Sequence, residues 1–197
     1  QVDEVISKVP ELNKEFIRYQ TLTGGLCNQT YKINTRQGSY VLRMNSRQNE
    51  FLNLTRSSEV EVMKQANREG IAPDVISSYE PEQYVVTSFI EGRMLEKDDL
   101  NNNEITSLII DRLKQIHRME VKGRICSPYD LIYGYLKGAD QYNIKYPDGL
   151  TRVLNRVEKI AHERSNDKVY TNKFCHNDSF LCNMLYTDHN LQIIDWE

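Results

Sequence analysis

The sequence predicts an α+β protein built in two parts, strands first and helices after. Up to about residue 91, short β-rich runs alternate with turn signals around one helical stretch. Beyond Gly92 the pattern changes to amphipathic helices, and the chain closes on a short hairpin. The expected organisation is a five-stranded antiparallel sheet with a helix over residues 1–91, a link near 87–95, and a mostly helical part over 92–197.

Each element has a local reason. Residues 2–14 set apolar and charged positions at helical spacing, ending near Asn13. Three strand-like runs follow: "FIRYQTL" ending at Leu22, "TYKINT" from Thr30 and "SYVLRMN" from Ser39. Gly24-Gly25 and "RQGS" around Gly38 are the turn signals that divide them. Residues 57–68, "SSEVEVMKQANR", read as a helix with Ser57 or Ser58 as N-cap and Gly70 as stop. Pro73 confirms the break, because the residue before a proline is pushed out of the helical region. "DVISSYE" and "QYVVTSFI" give two more strands joined by a turn at Pro81. Residues 104–119, 128–143 and 149–164 are helical in pattern; in the first, Ile105, Leu108, Ile109, Leu113 and Ile116 share one broad face. "MLYT" and "LQII" then pair as strands across "TDHN", a run of turn formers.

Composition removes several function classes. An apolar share of 39% beside 27% charged residues is enough for a packed core. A net charge of −3 opposes general attraction to nucleic acid. The most apolar runs fall far short of the ~20 residues a membrane helix needs. The N-terminal "QVDEVISKVPELNKEF" is acidic and lacks the apolar stretch of a signal peptide. Cys27, Cys126, Cys175 and Cys182 have no C-x-x-C spacing, so a reducing cytoplasm fits better than a disulfide frame or a zinc site. The expectation is a cytoplasmic protein that engages neither nucleic acid nor membrane.

The chemistry concentrates in "HNDSFLCNMLYTDHNLQIIDWE", residues 176–197. Asp178 and Asn183 are five positions apart, an odd separation that puts them on opposite faces of a strand but suits a tight loop. A hairpin from "MLYT" to "LQII" brings Asn183, before its first strand, beside Asp195, after its second. An amide oxygen and a carboxylate are hard ligands of the kind Mg2+ takes, with water and phosphates completing its shell. Asp178 on the same loop is placed to accept a proton from an attacking hydroxyl. The spacing is that of a kinase catalytic loop, although an Asp and an Asn in a loop also serve as ordinary side-chain caps.

Upstream residues complete the set. Gly24 and Gly25 in "LTGGLCNQTYKI" let backbone approach a phosphate, and Asn28 and Gln29 offer donors. Arg43 lies in an apolar strand and needs a partner, which Glu59 on the next helix supplies. Glycine loop, strand cation, helix acid, loop Asp, Asn and final Asp follow one another in a specific order.

On these residues the chain resembles the choline/ethanolamine kinase family, in particular bacterial LicA-type choline kinases. More broadly it is similar to the aminoglycoside-phosphotransferase branch of the protein-kinase-like fold. The matching stretches are "LTGGLCNQTYK", "YVLRMN", "RSSEVEVMKQANREGIAP", "VVTSFIEGRML", "LKQIHRM", "HNDSFLCNMLY" and "IIDWE", together spanning 22–197. The resemblance implies a two-lobe fold with ATP and Mg2+ as cofactors. It makes Asp178 the base, Asn183 and Asp195 the metal ligands, and Arg43 with Glu59 the pair that positions the phosphates. Gly24, Gly25 and Asn28 would cradle the nucleotide, and the link around Thr87, Phe89 and Ile90 would meet the adenine. Arg stands where most kinases have Lys, and its fork serves phosphate as well. Cys27 replaces an expected Thr or Ser, and His117 resembles a structural helix-end histidine. The family continues past "IDWE", so the helical lobe is expected to be incomplete here.

The implied substrate is a small amino alcohol, choline first, then ethanolamine, with an aminoglycoside or thiamine behind. A homodimer is compatible with the resemblance. Trp196 and Tyr133, Tyr135, Tyr142 and Tyr146 could wall a quaternary ammonium group, or simply pack and cover the surface. Glu197 could face the metal or the amine. Two other classes remain open: a metal-dependent hydrolase using His176, Asp178 and Asp195, and a non-catalytic nucleotide-binding module.

Overall fold

The computed structural model describes residues 1–22, 28–45, 56–79, 84–121, 128–166 and 173–196. The chain falls into two compact units, one of residues 1–47, 55–121 and 174–197, the other of 48–54 and 122–173. Gly92, where the sequence changes character, lies inside the first unit.

The first unit holds the expected five-stranded antiparallel sheet. Its strands are β1 (Phe16–Leu22), β2 (Gln29–Thr35), β3 (Ser39–Met44), β4 (Val75–Tyr79) and β5 (Tyr84–Ser88), in the order β1-β2-β3-β5-β4. Strand periodicity gives the two faces different partners. Ile33, Leu42, Tyr84 and Val86 are buried against Val5, Ile6, Val9 and Leu12 of two short N-terminal helices. Those helices are α1 (Val2–Lys8) and α2 (Pro10–Asn13), where the sequence suggested one. Pro10 explains the break, because Val9 before it is extended at φ −97°, ψ 111°. The other face carries the paired rows Lys32–Val41–Thr87 and Thr30–Arg43–Val85.

Helix α3 (Arg56–Arg68) begins just ahead of Ser57 and Ser58, so these lie in its first turn rather than at its cap. Its end is a Schellman turn: Gly70 N–H donates to Asn67 O at 2.8 Å and Ile71 N–H to Ala66 O at 3.0 Å. Gly70 takes φ 74°, as that motif requires. Val60, Met63 and Ala66 of α3 share a core with Ile71, Ala72, Val85, Ile116, Met119, Ile193 and Trp196. The turn expected at Pro81 lies outside the described residues.

Beyond the link come two elements that the sequence did not announce. A two-residue strand β6 (Arg93–Met94) is too short to show alternation, and a 3-10 turn covers Lys97–Asn101. Arg93 grips both carboxylate oxygens of Asp99 at 2.6 and 2.7 Å, which together with the Glu96 N–H holds that carboxyl at about 2. Helix α4 (Asn103–Ile116) is capped by Asn102, whose side chain accepts from Glu104 N–H and Ile105 N–H. Strands β7 (Met184–Thr187) and β8 (Asn190–Ile193) join β6 in a three-stranded sheet. Leu95, Ile105, Met184 and Leu191 close a small core beneath it.

The second unit contains α5 (Pro128–Gln141) and α6 (Leu150–Ser165). Tyr133 donates to Glu158 at 3.0 Å, and Tyr146 donates to Asp140 at 2.6 Å. Tyr133, Tyr135 and Tyr142 are exposed, which is the surface-covering role rather than a shared aromatic wall. Among the described residues, no helix is long and apolar enough to cross a membrane.

Gly92 is held tightly. A Cβ there would sit 2.6 Å from Thr187 Cγ2 and 2.8 Å from the Tyr186 carbonyl oxygen. The second contact is backbone and cannot turn aside. Gly92→Ala is therefore expected to lower stability by about 1–3 kcal/mol, read from urea midpoints, with Thr187→Ala in the same background recovering little.

Candidate functional site

The β7–β8 hairpin is set by its two-residue turn. Asp188 and His189 have φ 33° and 62°, the paired positive values of the turn that matches strand twist. At the other end the ladder runs one step beyond the strands, as Ile194 N–H donates to Asn183 O at 3.0 Å. Asn183 and the residue before Asp195 are thus joined at the hairpin mouth, as the sequence pattern expects. Asp195 itself takes φ 64°, a left-handed conformation that Asp tolerates better than most residues.

The loop leading in is bound to itself. Asn183 Nδ2 donates to Asp178 Oδ2 at 2.8 Å and to Asp178 O at 3.0 Å. Asp178 O also accepts from Phe180 N–H, and Phe180 O accepts from Asn183 N–H, so the five-residue spacing becomes a closed turn. His176 braces it from beneath. Its Nε2 lies 3.0 Å from Ile194 O, and its Nδ1 accepts from Asp178 N–H at 3.3 Å. Only the neutral Nε2–H tautomer satisfies both bonds. Both nitrogens serve main chain, which removes His176 from the ligand and base roles of the hydrolase alternative.

Arg43 brings the remaining charges together. Its Nη2 forms an ion pair with Glu59 Oε1, and its Nη1 donates to Asp195 Oδ1 at 3.2 Å. The Arg43 and Glu59 side chains are 13% and 5% exposed, against 43% for Asp195. The pair is thus largely shielded from water, with Asp195 at its open side. Sequence residues 43, 59 and 195 meet at one guanidinium.

Other expected residues are placed less directly. Thr87 is buried on the sheet face that carries Arg43. Phe89 N–H donates to Ser39 O at 3.0 Å, and Phe89 and Ile90 are both half-buried in the link. Asn28 is half-buried just ahead of β2. Gly24, Gly25 and Cys27 lie outside the described residues, as does Glu197. Lys32 was not singled out by the sequence. Its ammonium sits 3.4 Å from the centre of the Phe89 ring and 3.4 Å from Glu91 Oε1. Counting back through the Asn34–Ser39 pairing would have put Lys32 on the Arg43 face.

The donor set suits a hard divalent cation. Asn183 spends its NH2 on Asp178, and that carboxylate partner fixes the amide orientation so that Oδ1 is the atom turned to other uses. With the Asp195 carboxylate it offers two oxygens of the type Mg2+ prefers. Among the described residues, no cluster of three His, Cys, Asp or Glu is close enough to hold a metal.

Residues 19–197 match the family model for choline/ethanolamine kinase. The chain belongs to the choline/ethanolamine kinase family. A curated relative, probable choline kinase 3 of Arabidopsis thaliana, is 23% identical over 72% of this chain and 42% of its own length. The chain therefore spans about two fifths of that relative. Among solved structures, the choline kinase LicA from Streptococcus pneumoniae superposes with a TM-score of 0.79 at 20% identity, covering 100% of this chain and 68% of that one. A choline/ethanolamine kinase family protein from Mesorhizobium loti gives 0.73 at 21%, covering 100% and 64%. A thermostable mutant of the aminoglycoside phosphotransferase APH(4)-Ia, solved with AMP-PNP and hygromycin B, gives 0.68 at 14%, covering 98% and 70%. The fold is the protein-kinase-like α+β fold.

In this family member Trp196 is a core residue. It is 4% exposed, its Nε1–H donates to Ile193 O at 2.8 Å, and its ring meets His176 edge-on at 4.7 Å. Burial also holds the His176 ring below the usual histidine range, against opposing pulls from the Ile194 carbonyl and the charges of Asp195 and Asp178. The unfolded chain, with its histidine near 6.5, takes up the proton first as pH falls. This contribution to stability is complete above that value and is lost as pH drops toward the depressed folded value. As pH falls below about 6.5, urea midpoints of the wild type should drop more steeply than those of His176→Gln, which has no ring to protonate.

Proposed function

We propose that the protein transfers the γ-phosphate of ATP to the hydroxyl of a small amino alcohol, with choline as the leading substrate. The observation that carries this reading is the convergence of Glu59 and Asp195 on Arg43, next to a hairpin mouth where Asp178 and Asn183 are tied together. A buried acid holds the guanidinium by one arm, and the other reaches Asp195. Structural burial alone does not require this division.

Residues 1–91 would then form the nucleotide-holding lobe and 92–197 the catalytic one. Gly24, Gly25 and Asn28 would cover the phosphates, Arg43 would contact them, and Thr87, Phe89 and Ile90 would border the base. Mg2+ would be held by Asn183 Oδ1 and the Asp195 carboxylate, and when bound it neutralises phosphate charge. Asp178 accepts the hydroxyl proton as the substrate oxygen bonds to the γ-phosphorus. The bond from that phosphorus to the β,γ-bridging oxygen breaks, and ADP leaves with the electron pair. Catalysis on this plan comes from positioning and charge stabilisation.

Family membership favours choline or ethanolamine as the alcohol, and the "GIAP" and "FIEG" segments favour the choline-kinase side over the aminoglycoside side. Trp196 adds no support, because its indole is committed to the core. Four dispersed cysteines without C-x-x-C spacing fit a cytoplasmic setting.

ADP release measured against choline, ethanolamine, thiamine and an aminoglycoside should be fastest with choline. Binding of Mg-ATP without transfer to any of the four would replace this reading with a non-catalytic nucleotide-binding module. Asp178→Ala should lower kcat by about 10²–10⁴-fold while the KM for ATP changes little. Arg43→Ala should act chiefly on the KM for ATP, and a variant that keeps wild-type values at both positions would remove the assigned roles.

A further inference from the structure

Glu59 stands in the first turn of α3, and Asp195 just past the end of β8, yet both must present carboxylates to Arg43. What keeps their two carriers in step lies at the other end of α3. Three successive carbonyls after that helix are each taken by a neighbour. Glu69 O accepts from Gln115 Nε2 at 2.7 Å, Gly70 O from Gln192 Nε2 at 3.0 Å, and Ile71 O from Ile193 N–H at 2.8 Å. Helix α4 supplies the first donor and β8 the other two.

Arg112, half-buried on α4, closes this clasp. Its Nε donates to Leu191 O at 2.9 Å, its Nη1 to Gln115 Oε1 at 2.7 Å, and its Nη2 to Asn190 Oδ1. One guanidinium therefore holds the first two residues of β8 and orients the glutamine that holds the end of α3. All three acceptors are neutral, so the arrangement is one of shape rather than charge pairing. Packing alone would be served by an aliphatic side chain at this position, since Leu113 and Ile116 already fill the core beside it. A fork with fixed donor directions is what the three acceptors require.

We propose that Arg112 is a positioning residue for the phosphate-holding site: by locking β8 to the end of α3, it sets where Asp195 and Glu59 meet Arg43. The proposal rests on the reading of those three residues as nucleotide- and metal-holding groups. It assigns Arg112 no contact with substrate. Arg112→Gln removes the fork, Arg112→Lys keeps charge and carbon stem without it, and Gln192→Leu opens the clasp on the β8 side. Lys114→Ala, an exposed change on the same helix, serves as the control.

Two readouts decide the matter: the NMR resonance of the Arg43 Nε–H group in 15N-labelled protein, and the separate KM values for Mg-ATP and for the alcohol. In the three clasp variants the Arg43 resonance should move and the KM for Mg-ATP should rise by about tenfold, while the alcohol KM stays within about twofold. Lys114→Ala should leave both unchanged. Folded clasp variants that melt earlier but keep the Arg43 resonance and the nucleotide KM would overturn the proposal, because Arg112 would then be only a packing residue. If Arg112→Gln does not fold, Arg112→Lys and Gln192→Leu give the same test. Should the wild type transfer no phosphate, the phosphotransferase reading fails on that result. The Arg43 resonance then still judges the clasp, supporting it if moved and overturning it if not.

Discussion

The structure depends on keeping one guanidinium charged in a place largely closed to water. Arg43 projects from the middle of a sheet whose reverse face is packed on α1 and α2, so it has only one side on which to find partners. Glu59 compensates it from α3, and Asp195 approaches from the chain's last segment. Taking Glu59 away would remove the buried acid of the pair, a loss of about 3–5 kcal/mol where such a pair is buried, whereas Asp195, 43% exposed, contributes less. Sheet, helix and hairpin are therefore not three separate modules. They share an electrostatic obligation, and the core of α3, β5, α4 and β8 side chains is what holds them to it.

Much of this was legible in the sequence, for reasons that differ from residue to residue. The five strands could be read because each is bounded by turn formers and carries β-branched or aromatic residues. Asp178, Asn183 and Asp195 could be read because a hairpin converts distant positions into neighbours with little freedom. Arg43 announced itself as a cation among aliphatic residues, and Glu59 as an acid on the helix that follows. The single helix expected over residues 2–14 overlooked what Pro10 does to Val9. Strand β6 could not be read at all, since two residues carry no period. It exists because Gly92 lets the link come against Tyr186 and Thr187.

Side-chain networks were the least visible layer. Nothing in "IIDRLKQI" separates Arg112 from an ordinary solvent-facing arginine, because its acceptors lie on carbonyls far along the chain. Lys32 over Phe89 was hidden for a similar reason: the contact joins β2 to the link across the sheet, and only strand register brings them together. Trp196 was the reverse case. An aromatic beside a metal-type aspartate suggests a cation box, but an indole next to a strand end can also be the plug of a core, and here it is.

His176 has a consequence for how this position can vary. A histidine kept for its proton can be exchanged only for another group that titrates, and the exchange shows in rate. A histidine kept for its two edges, one giving a hydrogen bond and one receiving, can be exchanged for any compact side chain with the same pair of edges. Asparagine and glutamine have such edges, whereas lysine, arginine and the carboxylates have only one kind. What position 176 asks of its occupant is therefore a shape with a donor at one edge and an acceptor at the other, a demand set by main-chain geometry rather than by the reaction.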